Sequence, residues 1–365
     1  MNVSVNDTPF CYTINNPPFN YTHPIASAYY PFIFMTLGLT SNLIALVVLV
    51  KSFRTTQSRS RSSFLIFLGG LVVTDFMGLL VTGCIVGTFH VTHFNWRTLD
   101  PHCHFCNFMG MTMVFYGLCP LLLGATMAVE RFIGITMPFV RSFSKKRGRT
   151  IYIVLSVWTF AGSIALLPVL GVGSFHLQKP GSWCFINISP EGTDMVFSLI
   201  FSLTGLTCIT VSFLLNTVSL VTLIRVCCGH DRKQRRRDYE IEMMVQLILI
   251  MVIASICWCP LLINTLLSIV TMVPVRDEIV LFCIRMATCN QIFDPWIYIV
   301  CQVPCLRSLL RKLCFLEPNS KPKTFCWGCV LPLGTRSWTP GSTSSFVGRS
   351  SRDSIPGLTG PVALL

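Results

Sequence analysis

The chain has 365 residues, of which 52% are hydrophobic and only 12% charged, about half the charged share of an ordinary soluble chain (roughly 25%). Its mean hydropathy is +0.64, which excludes soluble multidomain, collagenous, disordered and coiled-coil readings, and its 18 Cys are too dilute for a small disulfide scaffold. The net charge is +13, and it informs through its position along the chain.

Residues 1–28 are polar, and no Lys or Arg precedes Lys51. They hold glycosylation acceptor triplets at Asn2, Asn6 and Asn20, a pattern that belongs on a secreted surface. A cleavable leader needs a basic start and a short apolar core; neither is present, so the first apolar block is expected to double as the insertion signal. A bilayer core of roughly 30 Å takes about 20 apolar residues in a helix. Seven blocks meet that length, over 29–50, 63–87, 106–135, 151–172, 195–226, 243–273 and 279–302. Backbone groups in lipid must be paired within the segment, which makes each block a helix. A membrane barrel would show alternating strands, and these blocks do not alternate. The fold class is therefore an all-α membrane protein, a seven-transmembrane helix bundle over 29–302.

The connections carry the charge asymmetrically. The first has Lys51, Arg54, Arg59 and Arg61, the third Arg141, Lys145, Lys146, Arg147 and Arg149, and the fifth Arg232, Lys233, Arg235, Arg236 and Arg237. The second, fourth and sixth have one each: Arg97, Lys179 and Arg276. Cytoplasmic loops concentrate Lys and Arg, so the N-terminus is expected outside and the C-terminus inside. A fourth acceptor triplet, at Asn187, falls on the same outer side. The basic charge then marks an inner membrane face and no nucleic-acid partner. No internal repeat relates the two halves, which argues against a transporter.

Ionisable groups within spans cost several kcal/mol and mark function by default. They are few: Asp75 in the second block, Glu130 and Arg131 ending the third, and Arg285 and Asp294 in the seventh. Arg285 lies about a third of the way in from the outer end. Its planar fork suits a carboxylate, which points to an anionic lipid; the alternative is an internal ion pair. An amine ligand is disfavoured, because no acid lies between Cys106 and Val129. Cys103-His104-Phe105-Cys106 is half a zinc pattern with no partner pair on its side. No metal and no cofactor are assigned, and no nucleophile–base pair suggests an enzyme.

Glu130-Arg131-Phe132 completes a pattern spread over every block: Gly38 and Asn42, Asp75, Cys106, Trp158, Cys257-Trp258-Cys259-Pro260, and Asp294-Pro295-Trp296-Ile297-Tyr298. Together these resemble the rhodopsin-type G-protein-coupled receptors. Pro180-Gly181-Ser182-Trp183-Cys184-Phe185, and Arg285 followed by Asn290-Gln291, are similar to the prostanoid receptors among them. The fifth block also lacks the proline that most rhodopsin-type receptors carry. Leu79-Leu80-Val81-Thr82-Gly83, Leu214 to Ser219 and Glu242-Met243-Met244 resemble one prostanoid branch in particular.

The resemblance implies a plasma-membrane receptor for a prostanoid carboxylate, coupled to a heterotrimeric G protein of the Gq class. It places Arg285 on the ligand, with Thr82, His90, Ser182, Trp183, Met113, Phe115 and Ser202 as further ligand candidates. For each of those seven, packing or capping is the competing reading. It implies a Cys106–Cys184 disulfide, leaving Cys11 and Cys103 as the remaining outer-side pair and a second expected bridge. Glu130 and Arg131 become an activation switch, Trp258 and Pro260 a hinge, and Asp75, Asp294 and Tyr298 an inner switch whose alternative is a stabilising polar network. Many relatives hold sodium near the residue matching Asp75, but Pro120 replaces the hydroxyl required, so no ion is assigned. Cys289 stands where prostanoid receptors usually have Trp and is expected to reshape the pocket floor. Residues 303–317 read as a short amphipathic eighth helix on membrane lipid, with Cys301, Cys305 and Cys314 as palmitoylation candidates. The Ser-rich tail 318–365 reads as disordered, a substrate for receptor kinases and a dock for arrestin.

Overall fold

The computed structural model describes residues 9–15, 29–56, 59–136, 147–228 and 234–301. Asn2, Asn6, Asn20, Cys305, Cys314, the expected eighth helix and the tail lie outside them. The elements run η1 (Phe10–Tyr12), α1 (Tyr29–Thr55), α2 (Arg59–Thr92), α3 (Trp96–Leu99), α4 (His104–Thr136), α5 (Arg147–Leu166), β1 (Phe175–Gln178), β2 (Trp183–Ile186), α6 (Gly192–Cys228), α7 (Gln234–Thr271) and α8 (Asp277–Cys301). The seven long helices match the seven expected blocks. Among the described residues, six are long and apolar enough by composition to cross a membrane. The seventh, α8, carries Arg285, Asn290, Gln291 and Asp294, and packs between α7 and α1.

α5 is the helix that ends well short of its expected block. The apolar run to Val172 was expected to stay helical, but the helix stops at Leu166. Pro168 explains this, since the residue before a proline is pushed out of the α region. Gly171 and Gly173 then take φ of 95° and 92°, a conformation that favours glycine. The other helices extend past their apolar blocks by up to nine residues, because amphipathic turns continue the hydrogen-bond ladder beyond hydrocarbon.

Close approach between helices rests on small residues, as is usual where lipid supplies no hydrophobic drive. A Cβ on Gly117 of α4 would sit 2.6 Å from the Trp258 ring of α7, and one on Gly205 of α6 would sit 2.7 Å from Leu262. Buried polar groups stitch the rest. Asn42 donates to the carbonyl of Gln291 at 2.9 Å, joining α1 to α8. Trp158 donates to Thr74 Oγ1 at 3.1 Å, joining α5 to α2.

One end of the bundle is capped. β1 and β2 form an antiparallel hairpin with Leu177 opposite Cys184, and Cys184 is bonded to Cys106 of α4. Cys11 is bonded to Cys103, so η1 is tied over the same end. Asn15 donates to the carbonyl of Leu177 at 3.0 Å. Tyr12 donates to the carbonyls of Trp96 and Asp100, and Trp96 Nε1 donates to that of Gly181 at 2.7 Å. The expected pairings are the ones formed.

Gly173 begins this cap and meets Phe197, whose Cβ would lie 2.6 Å from an added methyl. Gly173→Ala is predicted to destabilise the fold by about 1–3 kcal/mol through strain and overpacking. Thermal unfolding of the detergent-purified chain measures this; an unchanged melting temperature contradicts it.

Candidate ligand-binding site

Beneath the hairpin lies a cavity of about 790 Å³, its open mouth included, walled by α1, α2, α4, α8 and the hairpin. Its lining is mostly apolar, including Phe34, Met35, Leu79, Met109 and Met113. Arg285 enters this wall from α8. Its guanidinium carbon lies 4.1 Å from the centre of the Tyr30 ring, a cation–π arrangement that braces it against α1. None of the described lining residues is acidic. Asp194, in the first turn of α6, is engaged elsewhere: Ser174 Oγ donates to one oxygen at 2.7 Å and Asn187 Nδ2 to the other at 2.6 Å.

The other expected ligand residues divide. Thr82, His90, Met113, Ser182 and Trp183 all line the cavity. Thr82 Oγ1 donates to the Gly78 carbonyl at 2.6 Å, which leaves its oxygen able to accept. Trp183 Nε1 donates to the Lys179 carbonyl at 3.2 Å, so the ring is fixed as part of the lid. Phe115 and Ser202 do not line it. Phe115 is two residues from Met113, about 200° around the helix, and lies against Gly162 of α5. Ser202 is fully buried in α6 and donates to the Ser198 carbonyl at 2.8 Å.

A second cavity of about 400 Å³ lies deeper and shares Thr82, Met113, Ile284 and Thr288 with the first. Trp258 and Gly117 form part of its wall, and Thr82, Tyr116, Thr288 and Gln291 are among its polar residues. Cys289, expected to alter the pocket floor, lines neither cavity and packs into the core beside them. Its neighbours Thr288 and Gln291 face the space instead, because the helix turns about 100° per residue.

At the opposite end, Arg131 is buried and pairs with Glu130 at 3.0 Å. It also donates to Ser60 Oγ at 2.7 Å and to the Ser60 carbonyl at 2.8 Å, and lies 5.4 Å from the centre of the Phe64 ring. Asp294 accepts from Asn290 at 2.9 Å, and Tyr298 donates to Ser52 at 3.1 Å. Asp75 is wholly buried in α2. Pro260 lies inside α7, two residues after Trp258. Cys301 is buried at 1% exposure, which corrects its reading as a palmitoylation site: an acyl chain needs a thiol at the lipid surface.

A family model described as 7 transmembrane receptor (rhodopsin family) matches residues 41–298. The chain belongs to the rhodopsin family of seven-transmembrane receptors. It is 48% identical to the thromboxane A2 receptor of Rattus norvegicus over 299 residues, 79% of this chain and 86% of that one. It is 46% identical to that of Homo sapiens over 314 residues, 83% and 91% of the two chains. With the prostaglandin F2-alpha receptor of Rattus norvegicus it shares 39% over 291 residues, 78% and 79%. The chain is thus a multi-pass membrane receptor and no enzyme.

Several contacts of the receptor were not read from the sequence. Tyr30 marked only the edge of the first block, although aromatic residues gather at such edges. Ser60 and Phe64 looked like ordinary loop and span residues, since their partner is 71 residues away in the case of Ser60. His176 is buried, its Nε2 2.9 Å from Ser174 Oγ. Because Ser174 donates to Asp194, it accepts from His176, which fixes the proton on Nε2. Phe10 of η1 packs on the ring at 4.8 Å.

Burial pushes the His176 pKa below its usual 6.5, opposed by Asp194. The unfolded chain therefore takes up this proton first as pH falls, so the contribution is complete above about pH 6.5 and is lost progressively below it. The melting temperature of purified receptor is predicted to fall between about pH 7 and pH 5, and less so in His176→Gln. Equal falls in both proteins contradict this.

Proposed function

We propose that the chain is a plasma-membrane receptor for a prostanoid, thromboxane A2 ahead of its sister prostaglandins, with the hairpin end outside the cell. The observation that carries this reading is Arg285: a permanent charge over the Tyr30 ring in a mostly apolar cavity, with no acid among the described lining residues. A guanidinium fork there takes a carboxylate bidentately, and the apolar walls take a lipid chain. Thr82, Ser182 and His90 add polar contacts, and Trp183 and Met113 add surface. The likeness to thromboxane A2 receptors at 46–48% identity supports the subtype. The 39% likeness to a prostaglandin F2-alpha receptor supports the second reading, another prostaglandin as agonist.

The two cavities meet at Thr82, Met113, Ile284 and Thr288, so a ligand long enough to pass Met113 touches Trp258 beside Pro260. That contact biases the hinge of α7, and a population shift follows only if the ligand prefers one hinge state. At the inner end Glu130, Ser60 and Phe64 hold Arg131 in the resting form, with Asp75, Asp294 and Tyr298 as the neighbouring switch. Release of Arg131 exposes it to a G protein of the Gq class, which raises cellular calcium; receptor kinases and arrestin act on the Ser-rich tail. Asn2, Asn6 and Asn20 are the proposed glycan sites, and Cys305 and Cys314 the proposed acylated thiols.

Calcium release in cells expressing the receptor, against a panel of stable prostanoid mimics, tests the reading. The thromboxane mimic is expected to act at the lowest concentration. Arg285→Leu, with surface expression intact, is expected to weaken agonist binding by about 2–5 kcal/mol. Silence to every prostanoid, or unchanged affinity in Arg285→Leu, overturns the assignment. Ser60→Ala removes one side-chain bond to Arg131 and is expected to shift the resting equilibrium by about 1–2 kcal/mol. Ligand-independent signalling then rises several-fold per receptor; no rise contradicts the latch.

A further inference from the structure

The Asn187-Ile188-Ser189 triplet has the form of a glycan acceptor, but the structure gives its amide another use. Asn187 Nδ2, the atom to which a sugar would be joined, lies 2.6 Å from Asp194 Oδ2 at the start of α6. Ser174 Oγ reaches the other oxygen of that carboxylate at 2.7 Å and receives His176 Nε2 at 2.9 Å. The Asn187 backbone is held as well: its N–H donates to the Ser174 carbonyl at 3.0 Å and its carbonyl accepts from Ser198 Oγ at 3.3 Å. The residue directly follows β2, whose Trp183, with the adjacent Ser182, lines the outer cavity. Asp194 thus joins both strands of the lid to α6 through charge-assisted bonds, the strong class of neutral-donor contact to a carboxylate. A sugar on Nδ2 would replace one of its two hydrogens and seat a bulky group beside Asp194.

We propose that Asn187 is a positioning residue for the ligand lid, acting through its amide on Asp194, and carries no glycan in the folded receptor. The link to ligand affinity rests on the functional reading above; the absence of a glycan and the stabilising role do not.

Three full-length variants separate the alternatives. Ser189→Asn destroys the acceptor triplet while keeping Asn187 and a side-chain oxygen for the Glu191 N–H that Ser189 now caps at 3.3 Å. Asn187→Asp keeps the shape and sets two carboxylates together. Asn187→Asp with Asp194→Asn exchanges amide and carboxylate and restores the pair. Electrophoretic mobility before and after endoglycosidase, melting temperature of the purified unliganded receptor, and binding of a tritiated stable thromboxane mimic are read for each. Ser189→Asn is expected to match the parent in all three. Asn187→Asp is expected to melt lower and bind the mimic tenfold or more weakly, and the exchange is expected to recover most of both. A mobility shift in Ser189→Asn that endoglycosidase abolishes in the parent overturns the proposal. So does parental melting and affinity in Asn187→Asp, or a double exchange no better than the single variant. If the parent binds no prostanoid mimic, the functional reading fails, and mobility and melting still decide the role of Asn187.

Discussion

Hydrocarbon offers no hydrogen-bond partner, and most of this receptor follows from that. Every long apolar segment becomes a helix because only a helix pairs its own backbone. Some polar side chains at depth tie helices together: Asn42 and Trp158 each close a contact that apolar packing alone would not orient. Arg285 is half-buried and braced on Tyr30, and none of the described residues lining its cavity is acidic. The same constraint separates the two ends of the bundle. Beyond hydrocarbon the chain can form strands, turns and disulfides, and at one end it does so densely.

That cap connects structure to the proposed activity. The hairpin reaches α4 through Cys184 and α6 through Asp194, and it presents Ser182 and Trp183 to the outer cavity. A lid fixed at both sides gives the cavity one shape, so binding energy is not spent on ordering it. The outer cavity shares four lining residues with the inner one, whose wall includes Trp258, and against that ring Gly117 leaves no room for a Cβ. A change at that ring must therefore be taken up by α4 or α7, the two helices that also shape the inner end. At that end α2 supplies Ser60 and Phe64, which hold Arg131 alongside its sequence neighbour Glu130.

Much of the fold was legible because its signal is local. Seven apolar runs became seven helices, and the overlong block at α5 came from reading Leu166–Val172 by hydrophobicity alone past Pro168. The site was legible where a single residue violates its surroundings. Arg285, Asp75 and Asp294 stand out in apolar blocks whatever the fold. Facing was less legible. In a helix apolar on all sides, the sequence offers little to tell Met113 from Phe115, and only one of them reaches the cavity. Partnerships across the chain were not legible at all. Nothing local joins Ser60 to Arg131, or distinguishes an Asn187 that bonds Asp194 from one that receives a sugar. Cys301 shows the same limit, since burial at the bundle's inner end depends on helices far away in sequence.

The central claim is that Arg285 binds the carboxylate of a lipid ligand in this cavity. A double-mutant cycle measures it most directly: the affinities of a stable prostanoid acid and its methyl ester for the parent receptor and for Arg285→Leu. If the contact exists, esterification weakens binding strongly in the parent and little in the variant, with a coupling energy of at least about 1.5 kcal/mol. Equal losses in both receptors, a coupling near zero, would place the carboxylate elsewhere and contradict the account.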